Sequence, residues 1–533
     1  MNKMFFLLLK IFKCYTMAAS TFLFHPLMNE VVPYNAVYEF PSQATRSTKR
    51  TIKMTPKNSS ATYVSGSTIR FEFPASGYLN PNTTYLAFNC KAEVNTGSTW
   101  TPGTLLPGGM AFQNNIASIF RRVRVLYGSL VLEDIQDYNI LQRMFTEVLQ
   151  SSGTTCSNSS QYQGIGPLSN YQQSQATIFN GPFSAGYKFA RFNYHSQITS
   201  NDGTTLTGTP GSIARRYCIP INTGVFQQKR LLPLKFMSSQ LQIEFELADG
   251  VDCQHWIRGT NTVDPPTPTV PNSVRTVVGL PEIVAELLEF DAEFDQAVFQ
   301  GLKQGLAIPF QSWHMTSYNL SPNINVQVNI QESSRSVRYA LAGLTDDGNR
   351  VLSRDTHAFF CGWGSNLHTF TGGELNPLFG ANRSANEQLI ESFQWRLGGV
   401  YYPSQPVACF GGTALTTDTD ANYADPPVEA YMELMKVFDN QFVKRYSNGS
   451  FAGYPFASVR DNSDVETGGF ILACDFMTDR GDVIGGINAE EQNDMMLIMK
   501  FNGGGGTAKT LRVAVCYDNV MILGENNNLV LVN

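Results

Sequence analysis

Six histidines, nine cysteines and a modest number of acids are the groups here with the chemistry for catalysis or metal binding. The histidines (His25, His195, His255, His314, His357 and His368) are scattered along the chain. His357 and His368 fall near Asp355 and Cys361, and Cys253 and His255 flank a single glutamine. Neither group has the ligand spacing of a structural zinc site. His314 follows Trp313 and is expected to be a packed, satisfied core residue. The cysteines (Cys14, Cys90, Cys156, Cys218, Cys253, Cys361, Cys409, Cys474 and Cys516) make no CxxC pair and are odd in number. They read as reduced thiols, with Cys90, Cys474 and Cys516 inside apolar stretches, rather than as a disulfide framework. No nucleophile elbow, phosphate loop, HExxH helix or dinucleotide fingerprint occurs.

Other candidates are equally plain. The Gly503–Gly506 run lacks the Lys-Ser/Thr of a phosphate loop and is expected to be a flexible hairpin connection. Asp346-Asp347 and Glu490-Glu491 sit in polar turns and read as solvated loop charges. Sequons at Asn58, Asn82, Asn158, Asn382 and Asn448 arise by chance in a chain this rich in Asn, Ser and Thr. No catalytic residue, metal site or cofactor is expected. A cluster of charge does occur: Arg46, Lys49, Arg50, Lys53 and Lys57 fall in a stretch with no acid between Glu39 and Glu72. It reads either as a cationic arm lying near nucleic acid or a membrane, or as a solvated strand or linker.

Whatever these residues do, the elements around them are β-strands. The 533 residues exceed what one core usually supports, so two domains are expected. Charged residues are only 15%, against roughly 25% in an average soluble protein, and turn-forming residues abound. Such a surface suits a protein largely covered by copies of itself. The 36 Phe and 22 Tyr supply apolar area for sheet-on-sheet cores. A net charge of −6 argues against a dedicated nucleic-acid binder, which needs a basic face, although the balance is mild and leaves room for a local basic arm.

Strands of period two recur at Thr68–Phe73, Thr83–Val94, Ile119–Tyr127, Tyr187–Ile198, Arg216–Asn222, Gln240–Leu247 and Ile283–Phe290. In Gln240–Leu247 the acids Glu244 and Glu246 are expected on a wet face opposite Ile243 and Phe245. Leu132–Leu149 changes to a three- and four-residue period and predicts a surface helix. Asp291–Gly305 is helical again and is read as the joint between domains. Strands then restart at Leu306–Tyr318, Ile324–Ile330, Ser336–Leu344, Gln394–Tyr401, Phe470–Phe476, Met495–Phe501 and Leu511–Leu523, with a short helix at Glu429–Phe438. The halves match in order: QLQIEFELADG and EIVAELLEF parallel MMLIMKFNGGGG and TLRVAVCYDNVMIL, and FRRVRVLYGSLVLEDIQDYNIL parallels FQWRLGGVYYPSQPV. This points to a duplicated unit. The expected divisions are residues 1–60, 61–290, 291–305 and 306–533.

From about Thr68 to the C-terminus the chain resembles the double jelly-roll major capsid proteins of polinton-like viruses and virophages. The resemblance is carried by Ile119–Leu141, Leu231–Leu247, Ser336–Leu344, Phe393–Pro403 and Phe470–Met499. It implies an all-β fold of two consecutive eight-stranded jelly-roll sandwiches with short helices in connecting loops. It also implies homotrimers of pseudo-hexagonal outline that tile an icosahedral virion. Further capsomers, penton and minor capsid proteins would be partners, and Arg46, Lys49, Arg50, Lys53 and Lys57 would line the shell interior, near packaged DNA or an internal membrane. The expected outer loops are Asn95–Gly109, Gly153–Asn180, Ser200–Ser212, Gly250–Val278, Thr345–Asn386 and Gly411–Pro427.

Two other functions fit a β-sandwich protein. A carbohydrate-binding or glycan-processing protein calls for an aromatic groove with two carboxylates at a set separation, and no such acid pair can be placed. A minor capsid or spike protein usually has one jelly roll, and the second strand set speaks against it. The N-terminal apolar run is broken by Lys10 and Lys13 and is too short to span a bilayer. Initiation at Met17, a segment packed on a membrane or subunit, and a cleaved signal all remain open.

Overall fold

The computed structural model describes residues 47–95, 100–102, 109–112, 116–149, 215–250, 254–257, 273–321, 323–345, 390–409, 428–437, 471–478, 484–490, 495–501, 509–524 and 528–532. The described residues from Thr48 onward belong to one compact unit. They open with β1 (Ser47–Met54), β2 (Thr62–Val64), β3 (Thr68–Glu72) and β4 (Tyr78–Asn95), then the short β5 (Trp100–Pro102) and β6 (Gly109–Phe112). The hairpin β7 (Phe120–Tyr127) and β8 (Leu130–Ile135) leads to helix α1 (Tyr138–Leu149). Next come β9 (Arg215–Pro220), the single turn α2 (Gly224–Gln227), β10 (Leu241–Leu247), β11 (Gln254–Ile257) and β12 (Ser273–Phe290).

Helix α3 (Ala292–Leu302) follows, capped by the Asp291 carboxylate, which accepts from the Phe294 amide at 3.1 Å. The second strand set is β13 (Leu306–Leu320), β14 (Asn325–Ile330), β15 (Val337–Thr345), β16 (Ile390–Leu397) and β17 (Val400–Ala408). After helix α4 (Val428–Val437) come β18 (Ile471–Asp475), β19 (Met495–Phe501), β20 (Lys509–Leu523) and β21 (Leu529–Val532).

Strand order identifies the fold. In the first set β1 and β2 together serve as an interrupted opening strand, both pairing with β12. β12 pairs with β4, and β4 with β9, while β3-β10-β7-β8 makes the second sheet. In the second set the sheets are β13-β20-β15-β18, with β21 on β20, and β14-β19-β16-β17. With eight strands counted along the chain in each set, one sheet runs first-eighth-third-sixth and the other second-seventh-fourth-fifth. Both halves follow this path, the antiparallel jelly roll. The repeated segments read from sequence are its seventh and eighth strands (β10 and β12 against β19 and β20) and its fourth and fifth (β7 and β8 against β16 and β17).

Register places chemistry as well as core. Ile69, Phe71, Val123, Val125, Ile243 and Phe245 are all buried on one face of the β3-β10-β7 sheet. On the other face Glu244 stands opposite Arg70 on one side and Arg124 on the other, paired with both. Glu244 is therefore buried rather than wet, because two long guanidinium stems close over it.

Other expectations need correction. The helical period starting at Leu132 is a strand to Ile135 and a helix only from Tyr138, and Tyr138, Leu141 and Met144 are buried rather than at the surface. Gln394–Tyr401 is two strands of a hairpin, broken at Gly398 and Gly399, whose positive φ of 57° and 83° make the turn. Turn chemistry at Pro74–Asn82 gives way to β4 from Tyr78, since a bulge against β12 accommodates the irregular stretch. The Gly250–Val278 loop contains β11 and the start of β12, and the Asn95–Gly109 loop contains β5. β19 and β20 lie in different sheets, so the glycine-rich connection joins two sheets and is not a hairpin turn. Of the expected Thr345–Asn386 loop, Thr345 is the last residue of β15 and residues 346–386 lie outside the described residues. Gly503–Gly506 themselves, the strand at Tyr187–Ile198 and the loops at Gly153–Asn180, Ser200–Ser212 and Gly411–Pro427 also lie outside them.

Candidate functional site, a seam between two sandwiches

The residues with candidate chemistry do not converge. His25, His195, His357, His368, Cys253, Cys361 and Asp346-Asp347 lie outside the described residues. Among the described residues no three His, Cys, Asp or Glu side chains are grouped to hold a metal ion. His314 is half-exposed rather than a core residue, and its Nδ1 sits 3.0 Å from an oxygen of the buried Glu332. That carboxylate raises the His314 pKa by holding its charged form. Glu490 pairs with Arg335 in solvent. Cys90, Cys409, Cys474 and Cys516 are buried thiols, and burial pushes the Cys516 thiol up to about 12. Asn58 uses its side chain within the fold, donating to the Thr68 carbonyl at 2.6 Å and accepting from the Arg70 amide at 2.9 Å.

The basic stretch is built into a sheet. Lys49, Arg50 and Lys53 lie on β1, at the edge of the β12 sheet. Lys49 bonds Glu286 at 2.6 Å, Arg50 pairs with Glu289 at 3.5 Å, and Lys57 pairs with Glu72 at 2.8 Å. Lys53 is exposed, and Arg46 lies outside the described residues. Strand pairing thus brings to Lys49 and Arg50 acids that are distant in sequence.

What the fold does concentrate is a seam between the sandwiches. The Glu133 carboxylate on β8 is fully enclosed. It accepts from the Gly224 and Val225 amides, each at 2.8 Å, and from the Ser312 hydroxyl of β13 at 3.0 Å. No cation stands among these partners, so burial raises its pKa to about 7. Gly224 presses on the second sandwich so closely that a Cβ there would lie 1.7 Å from the Gln311 carbonyl oxygen. Around this point Arg512 of β20 donates to Asp137 at 2.9 Å, and Arg230 donates to the Ala307 carbonyl at 2.7 Å. Asp137 has a left-handed φ of 48°, a conformation that Asp tolerates better than most residues.

Apolar packing completes the seam. Phe145 of α1 meets Trp313 edge-on at 4.9 Å, and Trp313 meets Tyr339 at 5.2 Å. One continuous core runs from the first sandwich through Ile308, Phe310 and Met315 to Leu341, Ala514 and Cys516. A second core, around Trp395, Leu497 and Val513, fills the second sandwich alone. The two sandwiches are therefore joined by a core-like interface. Sequence reading missed Glu133, Gly224, Ser312 and Arg512. A usable signal was Glu133 itself, an acid two residues before the apolar Ile135 and so on the same face of the strand.

No protein-family model and no curated protein sequence matches the chain. Among solved structures, it is similar to a chain of the Sputnik virophage structure, with a TM-score of 0.53 and 12% identity over 94% of this chain and 91% of that one. It is also similar to a chain of the PBCV-1 virus capsid, with a TM-score of 0.50 and 10% identity over 93% of this chain and 99% of that one. At such identities the likeness is one of fold, and the fold these chains share with this one is the double jelly roll.

Proposed function

We propose that this chain is the major capsid protein of an icosahedral virus, acting as a structural component of the shell and not as an enzyme. The observation that carries this reading is the repetition of one eight-strand path in a single chain, with the two copies locked by a buried seam. Such a chain is a rigid pair of similar blocks, and three copies supply six, the outline that tiles a plane. Jelly rolls also keep most strand edges short, which restrains uncontrolled sheet-to-sheet association. The fold likeness to the PBCV-1 capsid and Sputnik virophage chains supports the same reading.

Further copies, penton proteins and minor capsid proteins are the partners in this proposal. The role of Arg46, Lys49, Arg50, Lys53 and Lys57 at the shell interior, against DNA or a membrane, is weakened by the acids that engage three of them. Light scattering and negative-stain imaging of purified protein test the proposal. Particles near three times 59.0 kDa with a hexagonal outline are expected. A protein that stays monomeric at all concentrations would sink it.

A further inference from the structure

The chain crosses from the first sandwich to the second at Lys303-Gln304-Gly305, and the surface around this crossing carries cations without acids. Residues 229–236 (KRLLPLKF) and 296–307 (QAVFQGLKQGLA) hold Lys229, Arg230, Lys235 and Lys303 and no Asp or Glu. The fold brings the two segments together. Phe236 meets Phe299 of α3 at 6.4 Å, and Arg230 donates to the Ala307 carbonyl at 2.7 Å. Lys229, Arg230 and Lys303 are exposed. Among the described residues an acid engages only Lys235 of the four, through Asp295. The acids of α3 lie at its other end, where Asp291 caps the helix and Glu293 stands about 15 Å from Lys303 along the axis.

Apolar groups are bare at the same crossing. Phe299 is 45% exposed, with the Lys303 ammonium 5.6 Å from its ring centre. On the second sandwich the crossing is bordered by Ile522 of β20, which a Cβ on Gly305 would touch at 3.3 Å. Ile522 pairs in turn with Val530 of β21, which is 57% exposed. Bare apolar side chains among long cationic stems suit an anionic lipid surface. The apolar groups enter the headgroup region, and the charged tips stay at the level of the lipid phosphates. A nucleic acid would engage the cations but offers Phe299 and Val530 no apolar phase.

We propose that this crossing is a membrane-attachment surface, at which Lys229, Arg230 and Lys303 engage the phosphates of an anionic bilayer and Phe299 enters its headgroup region. The attachment is peripheral, and among the described residues no helix is long and apolar enough to cross a membrane. The inference stands on the charge and exposure of the crossing and does not need the capsid reading. It also sets the crossing apart from β1, where Lys49 and Arg50 are answered by Glu286 and Glu289. Three cations on one chain give weak attachment, which several copies on one bilayer would multiply.

Flotation of the full-length protein with vesicles of phosphatidylcholine alone, and of phosphatidylcholine mixed with phosphatidylserine, tests this. Wild type is expected to bind the mixed vesicles roughly tenfold or more tightly than the neutral ones, and to release them as salt is raised. K229Q/K303Q leaves the bond from Arg230 to Ala307 in place. It should bind the mixed vesicles roughly tenfold more weakly than wild type, with an unchanged melting temperature. Residues 1–46 are the same in every variant, so the difference reports on the crossing alone. F299W should be quenched by lipids brominated in their upper chains beyond the quenching of the native tryptophans in wild type. Equal binding by wild type and K229Q/K303Q, or no added quenching in F299W, overturns the inference. So does a duplex DNA fragment that binds wild type and not K229Q/K303Q while the mixed vesicles stay unbound, which would make the crossing a nucleic-acid surface. Each of these outcomes leaves the capsid reading intact, since that reading is tested by particle size.

Discussion

The carboxylate of Glu133, on the first sandwich, accepts a hydrogen bond from the hydroxyl of Ser312, on the second, at 3.0 Å with both residues buried. Two backbone amides join the set and no cation does. The two sandwiches therefore meet through a carboxyl group whose charge is opposed by its surroundings.

That group makes stability depend on pH. Its pKa rises from 4.5 to about 7 on folding, so the folded chain binds the proton more tightly than the unfolded one. The associated stability is fully present below 4.5, falls as pH rises through about 7, and then levels. The full swing is about 3 kcal/mol. Denaturant titrations from pH 4 to 8 should show this decline, and E133Q should flatten it. An unchanged slope in E133Q would show that another group is responsible.

Gly224 faces the Gln311 carbonyl so closely that no side chain fits without backbone movement. Gly224→Ala is expected to cost about 3 kcal/mol, with the seam opening rather than either sandwich unfolding first. Hydrogen exchange should then rise at Ser312 and Val225 before it rises at Trp395, which belongs to the second core. Uniform loss of protection would contradict this order.

Arg512 is 9% exposed and holds Asp137 across the seam. Removing the guanidinium in R512L leaves a partly buried carboxylate without that partner, at a cost of about 2 kcal/mol. R512K keeps the charge but loses the planar fork, so a smaller loss is expected. A double-mutant cycle with D137N should give a clear coupling energy, and additive losses would mean that the pair is not an energetic unit.

His314 titrates in the opposite chemical sense but with the same outcome. Glu332 raises its folded pKa above 6.5, so the pair stabilises the chain below 6.5 and is lost as pH rises through the folded value. NMR titration should place His314 above an unfolded reference, and E332Q should return it toward 6.5. Both groups thus loosen the chain toward alkaline pH.

Much of the architecture was legible without coordinates. The alternation in Gln240–Leu247 and Ile324–Ile330, the helical period from Asp291 and the repeated strand pairs all appear as local patterns. Such patterns survive because strand and helix periodicity are set by neighbouring residues. The burial of Glu244 was not legible, since its two arginines come from strands far away in sequence. Nor was the placement of β1, whose cations meet acids on β12 only through sheet pairing.

By itself, the sequence determined the class of fold, the restart after the Asp291 helix, and the lack of any recognisable catalytic motif. Tertiary structure alone decided which faces of the strands are core, joint or bare surface. A strand's alternation says that one side is apolar, but what covers that side is set by another part of the chain. For β8 and β13 the cover is the other sandwich of the same chain. β1 and β17 carry the same positions in the path, yet they remain exposed. The difference lies in which surfaces face each other, and that is a property of the packed chain, not of any local segment.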